Sequence, residues 1–187
     1  MYYMGNEWKN WMKDYRFGTL AFLPKGELGR VSDQLRSRWD SASSKSCPAH
    51  ITISQPFTVA PDLNQIDKIK EFLNQFKAFE LQIGPVRSSP NKKLIWLDVN
   101  PKQQILHIRD SLHDLNLFRL EMPFTNGFIP HLTISELERI PSEAKRIIDD
   151  LNSLLNPSNI LFDSVSWIIP DENFIFQEYK SFKLRID

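Results

Sequence analysis

Cysteine, glycine and net charge are all in short supply in this chain of 187 residues. Cys47 is its single cysteine, which rules out an internal disulfide and a cysteine metal cluster and favours a reducing, cytoplasmic setting. Six glycines make Gly-rich phosphate loops improbable, and neither a Walker sequence nor a dinucleotide fingerprint is present. The 23 Lys+Arg balance 23 Asp+Glu, so no net basic face is on offer for long duplex nucleic acid, although a short or terminal piece stays open. No stretch approaches the roughly 20 apolar residues of a membrane span. The segment from Met1 to Lys13 mixes polar with aromatic residues and has no small-residue cleavage site, so neither a signal peptide nor a membrane partner is expected.

What remains is an ordinary folding composition, 41% hydrophobic and 25% charged, with no low-complexity tract and no linker. One compact unit over residues 1–187 is expected. Trp8, Trp11 and Met12 fall at helical spacing and predict a short helix packed on the body. Phe17 to Leu23 reads as a strand, residues 25–39 as a helix with Leu28, Val31, Leu35 and Trp39 inward, and Ser41 to Ser46 as a loop. His50 to Ser54 alternates as a half-buried strand, and from Asp62 the residues Leu63, Ile66, Ile69, Leu73 and Phe76 form an amphipathic helix. Leu81 to Val86 and Leu94 to Val99 read as a strand pair around Ser88-Ser89-Pro90-Asn91, and Pro101 opens a helix carrying Ile105, Ile108, Leu112 and Leu115. The order then recurs. His131 to Ser135 is a strand, Ser142 caps a helix carrying Ala144, Ile147, Ile148, Leu151 and Leu155, and Ile160 to Ile169 with Phe174 to Leu184 make a second strand pair. Two similar halves, about 17–100 and 101–187, predict an α+β body with pseudo-two-fold symmetry. Its two mostly antiparallel sheets would be flanked by helices around a central cleft.

The chemistry rests on a repeat. His50-Ile51-Thr52-Ile53-Ser54 and His131-Leu132-Thr133-Ile134-Ser135 share one pattern in equivalent strands, although threonine is scarce elsewhere (Thr19, Thr58, Thr125). On a strand, residues i and i+2 share a face, so His50 lies with Thr52 and His131 with Thr133, while the aliphatic residues between them anchor the other face. If the halves pair about the pseudo-axis, two histidines and two threonines converge. One neutral imidazole can then take a proton while the other, charged, gives one up, both forms being accessible at an ordinary pKa near 6.5. The threonine hydroxyls can donate to nonbridging phosphate oxygens, where charge builds up.

Paired His-x-Thr motifs about eighty residues apart resemble those of the 2H phosphoesterase superfamily, which includes the bacterial RNA 2′,3′-cyclic phosphodiesterases, also called 2′-5′ RNA ligases. The likeness extends over nearly the whole chain from about Phe17. It implies a metal-independent phosphodiesterase without cofactor, acting on a 2′,3′-cyclic phosphate or 2′-5′ bond at a nucleotide or RNA end. His50 and His131 would be catalytic and Thr52 and Thr133 would bind phosphate; the resemblance assigns His131 as base and His50 as acid. A monomer is expected. A nucleotide-binding module that uses the same cleft without turnover is the competing reading.

Further substrate contacts are less marked. Ser54 and Ser135 continue the His-Thr face by one more step, Phe57 and Phe128 flank the motifs and could stack a base, and Arg87, Lys92, Lys93 or Arg185 could meet phosphate. Trp96 is expected in the core. His107 and His113, six apart and off the apolar stripe, are expected at the surface, and no metal site is expected.

Overall fold

The computed structural model describes residues 2, 4–5, 7–89, 93–136, 141–154 and 158–186, the side chains of 141–143 and 154 excepted. Five helices are described: α1 (Gly26–Trp39), α2 (Ser41–Ser46), α3 (Leu63–Leu73), α4 (Lys102–His113) and α5 (Pro141–Leu154). Among the described residues the eight strands are β1 (Thr19–Phe22), β2 (Ile51–Thr52), β3 (Phe79–Ser88), β4 (Leu94–Asn100), β5 (His131–Glu136), β6 (Ser158–Phe162), β7 (Ser164–Pro170) and β8 (Phe176–Lys183). All pair antiparallel in the order β6-β3-β4-β5-β2-β1-β7-β8.

The expected two antiparallel sheets are two wings of one curled ladder, joined where Ile51 of β2 pairs with Leu132 of β5. Each wing draws on both halves of the chain. Strands β3 and β4 sit with β5 and β6, while β1 and β2 sit with β7 and β8. The expected strand from Ile160 to Ile169 is broken at Asp163, for a topological reason. β6 closes one edge of the ladder and β7 lies next to the other edge, yet only Asp163 separates them, so the sheet must curl until its ends approach. The Phe22 and Phe162 rings, from opposite wings, accordingly meet at 4.7 Å. Asp163 fixes the break by accepting from Ser164 Oγ at 2.8 Å and Lys183 Nζ at 2.9 Å.

Helix patterning holds with local exceptions. Asp62 and Gln65 form a capping box on α3, Ile66, Ile69 and Leu73 face the core, and Leu63 in the first turn is 79% exposed. Phe76 lies past the end of this helix. The Ser41–Ser46 segment is a short helix and not a loop, because the Asp40 side chain accepts from the Ser43 amide at its N-terminus. Ala144, Ile147 and Leu151 bury the α5 stripe; the cap expected at Ser142, together with Leu155 and Lys92, lies outside the described side chains. The N-terminal turn is a 3-10 helix over Asn10–Tyr15, beside which Trp8 is buried and donates its Nε1 hydrogen to the Glu172 carbonyl.

Candidate functional site

The pairing of β2 with β5 determines which side chains meet. Antiparallel strands with Ile51 opposite Leu132 place His50 opposite Thr133 and Thr52 opposite His131, one step to either side. Ile51, Ile53, Leu132 and Ile134 are fully buried beneath, while the two histidines and two threonines are all half-buried on the other face. The local two-fold axis therefore passes through the Ile51–Leu132 pair, and each wing presents a histidine to the other wing's threonine.

Both imidazoles are anchored the same way. His50 Nδ1 lies 2.8 Å from the Pro48 carbonyl and His131 Nδ1 lies 2.6 Å from the Ile129 carbonyl, each two residues upstream. A carbonyl can only accept, so each Nδ1 carries the proton, and Nε2 is the atom left to lose or gain one. Beyond this the rings differ. Burial is the main cause holding the His50 imidazole down, to about 4, against the opposing hydrogen bond to Pro48; Arg36 and His131 push the same way as burial and Asp33 opposes them. Cys47 Sγ also touches His50 Nδ1 at 3.3 Å, but burial pushes that thiol up to about 12, so it stands there uncharged.

The two serines leave the face that strand periodicity gave them, because each motif ends in a bulge. Ile53 and Ser54 both donate their amides to the Leu20 carbonyl, and on β5 the register slips so that Trp96 opposes Thr133 while Ile95 opposes Ser135. The extra residue turns both serines inward. Ser54 is 1% exposed and donates to the Gln55 carbonyl; Ser135 is fully buried and donates to the Trp39 carbonyl. Phe57 is also withdrawn, 1% exposed between Phe118 and Trp167 in the core. Phe128 is half-buried beside His131, ring centroids 6.2 Å apart. Arg87 is exposed on β3 and reaches Asp98 at 3.7 Å.

Trp96 departs from the expected core position. Ile95, Leu97 and Val99 take the buried face of β4, which sends Trp96 and Asp98 to the face of His131, with the indole 5.9 Å from the imidazole. The alternation of β4 carried that signal. Two buried cations escaped notice altogether. Arg36, 3% exposed on α1, donates to the same Pro48 carbonyl that holds His50. Arg109, 1% exposed on α4, donates to the Ile53 carbonyl and places its guanidinium 4.1 Å from the Phe128 ring. Their signal was a charged residue inside an apolar helical face: Ile105, Ile108, Arg109 and Leu112 follow the i, i+3, i+4, i+7 pattern.

His107 is exposed, but His113 is not at the surface. It is 8% exposed, its Nε2 accepts the Gln55 amide at 3.1 Å, and burial with help from Arg109 lowers it to about 4. An acceptor nitrogen has no room for a proton, so His113 is held neutral. The unfolded chain takes that proton near pH 6.5 and the folded chain only near 4, so His113 makes stability fall as pH drops through that window, by up to about 3 kcal/mol. His113→Gln keeps an acceptor for Gln55 without titrating. Urea melts at pH 7.5 and 4.5 are expected to differ less for this variant than for the wild type, and an unchanged difference would remove His113 from the account.

Among the described residues no group of three or more His, Cys, Asp and Glu is placed to hold a metal ion, and no helix is long and apolar enough to cross a membrane. Residues 24–173 match the family model of the 2′-5′ RNA ligase superfamily. The fold is that of TT0787 of Thermus thermophilus (TM-score 0.56, 11% identity, covering 90% of this chain and 98% of that one). It is equally that of E. coli LigT complexed with 3′-AMP (TM-score 0.55, 11% identity, 89% and 96% covered). No curated protein sequence matches the chain. The chain belongs to the 2′-5′ RNA ligase superfamily, and that membership supports phosphoester chemistry in general.

Proposed function

We propose that this member of the 2′-5′ RNA ligase superfamily is a metal-independent phosphodiesterase that opens 2′,3′-cyclic phosphates, or cleaves 2′-5′ linkages, at nucleotide or RNA ends. The observation that carries the reading is the antiparallel pairing that sets His50 across from Thr133 and Thr52 across from His131, with both imidazoles tied back through Nδ1. The 3′-AMP complex of E. coli LigT is consistent with a nucleotide in such a cleft.

The environments of the two rings suit different roles. His50, held neutral, offers its Nε2 lone pair to the attacking water and is the base. His131, half-buried across the β2–β5 junction from Thr52, is by complement the general acid, giving a proton from Nε2 to the leaving ribose oxygen. This reverses the assignment that the family resemblance suggests. Thr52 and Thr133 donate to the two nonbridging oxygens, and Arg36 and Arg109 add positive potential from beneath the cleft without adding net charge at the surface.

The test is hydrolysis of a 2′,3′-cyclic nucleotide, of cyclic-ended RNA and of a 2′-5′ dinucleotide in EDTA, followed by phosphorus NMR so that bond and product are named together. Inactivity on all three sinks the reading, and tight nucleotide binding without turnover would establish the binding-module alternative. Thr52→Val and Thr133→Val each remove one donor at near-constant volume. Each is expected to lower kcat about ten-fold or more, less than a histidine loss, while leaving the melt within about 1 kcal/mol.

A further inference from the structure

The two imidazoles are tethered to different kinds of peptide. His50 donates through Nδ1 to the carbonyl of the Pro48–Ala49 peptide, and α1 grips that same peptide at both ends. Arg36 Nη1 donates to its carbonyl at 3.2 Å, and the Asp33 carboxylate accepts its N–H at 2.6 Å. Asp33 and Arg36 stand three residues apart on the helix, the spacing that puts both on one face. The Ile129–Pro130 peptide that tethers His131 has no N–H to grip, because proline supplies none. The buried arginine of that half, Arg109, donates instead to the Ile53 carbonyl of the first motif.

The carbonyls that Arg36 bonds are satisfied without it. Pro48 already accepts from His50, and Ser43, whose carbonyl takes Arg36 Nη2 at 3.2 Å, already accepts the Cys47 amide. Among the described residues no carboxylate forms an ion pair with Arg36. A guanidinium 3% exposed and without a counter-ion is costly to bury, and apolar groups of the same volume often serve as well. What it supplies, and an apolar side chain would not, is positive charge beside a ring that acts as base only while neutral. Burial is the first cause of the low His50 value of about 4; Arg36 and His131 add to it, while the Pro48 hydrogen bond and Asp33 oppose it. By sharing the Pro48 oxygen, Arg36 also weakens the hydrogen bond that would raise the basicity of the ring. The neighbouring Cys47 thiol is uncharged, Lys45 of α2 is exposed, and β1 and β7 carry no charged residue.

We propose that Arg36 and Asp33 are positioning residues for His50: through the Pro48–Ala49 peptide they fix the ring with Nε2 left free, and the guanidinium, not the ring, carries the positive charge on that side of the cleft. The first motif, and not the second, then supplies the base. This deepens the phosphodiesterase reading above and rests on it.

The experiment follows the imidazole signals of the full chain by NMR from pH 4.5 to 8, with His50 identified by its absence in His50→Ala and the exposed His107 as reference. Arg36→Met keeps the reach of the side chain and removes the charge. With both carbonyls still bonded, its urea midpoint is expected to stay close to wild type. Its His50 titration midpoint is expected to rise by about one pH unit, so the charged fraction at pH 5 grows about five-fold. Arg36→Lys, which keeps the charge, should hold the midpoint near wild type. Asp33→Asn keeps an acceptor for Ala49 but loses a negative charge, so the midpoint moves the other way and the charged fraction at pH 4.5 falls about two-fold. The acid limb of kcat/KM on adenosine 2′,3′-cyclic phosphate should follow each shift. A His50 midpoint unmoved in Arg36→Met, or raised equally in Arg36→Lys, overturns the role of the charge. If Arg36→Met does not fold, an Asp33→Asn midpoint that stays or rises does the same. The expected shifts in a protein without turnover would keep the tuning of His50 and remove the phosphodiesterase. Turnover with a His50 indifferent to both residues would keep the phosphodiesterase and remove the positioning role.

Discussion

His50→Ala and His131→Ala are each expected to lower kcat on a 2′,3′-cyclic nucleotide by about 10²–10⁴-fold, with KM changed little. Each removes a proton-transfer group and leaves the threonine donors and the buried arginines in place, so the loss should fall on turnover and not on binding. The double variant is expected to be no worse than the poorer single one, because base and acid act in one step and removing either disables it. Neither side chain belongs to the buried core, and melts should stay close to wild type. The pH profile carries the finer claim. With His50 as the base and its imidazole held at about 4, kcat/KM should persist at pH 5, where an ordinary imidazole is mostly charged, and fall only as the pH nears 4. If His50 were the acid, it would be deprotonated throughout the neutral range and the rate would decline steadily above pH 4. A variant of either histidine that keeps turnover within ten-fold of wild type would falsify the paired acid–base mechanism.

Much of this architecture could be read from periodicity because the elements repeat twice. The strands around His50 and His131, the helix after Asp62 and the β4 alternation are local patterns, and each appears where its pattern lies. What escaped was non-local. That β3 and β4 join β5 and not β2 is decided by which edges close the curl, and no window of sequence carries it. The bulges after Thr52 and Thr133 follow from pairing as well: Ser54 and Ser135 keep the spacing of the face in sequence but lose it in space, since a second residue shares one partner. The loop expected at Ser41–Ser46 failed for a smaller reason. A serine-rich stretch lacks helix propensity, yet Asp40 caps it and Arg36 donates to the Ser43 carbonyl, so its short helix is held by its neighbours. Arg36 and Arg109 show the same limit from the other side. A charge within an apolar stripe was visible in the sequence, but its carbonyl partners become identifiable only once Pro48 and Ile53 are placed beside the helices.

Leu132→Ala is the corresponding test of the frame. Leu132 is fully buried, pairs with Ile51 at the junction of the wings, and lies between His131 and Thr133 on the opposite face. Truncation loses the transfer free energy of its methine and two methyl groups and leaves a cavity that two wings from distant parts of the chain must close, so a cost of about 3 kcal/mol is expected in urea melts. Leu132→Ile, which conserves volume, is expected to cost about 1 kcal/mol. Activity should separate the two consequences. At a temperature where both variants remain folded, Leu132→Ala is expected to lose turnover beyond its unfolded fraction, because relaxation at the junction alters the distance from His131 to Thr52, while Leu132→Ile keeps turnover near wild type. A destabilisation below about 0.5 kcal/mol would show that the wings are held together elsewhere, around the curl that brings β6 to β7. A full destabilisation with undiminished turnover in the folded fraction would show that the four polar residues hold their geometry through their own strands, each fixed by its bulge and by the Nδ1 tether to the backbone two residues upstream.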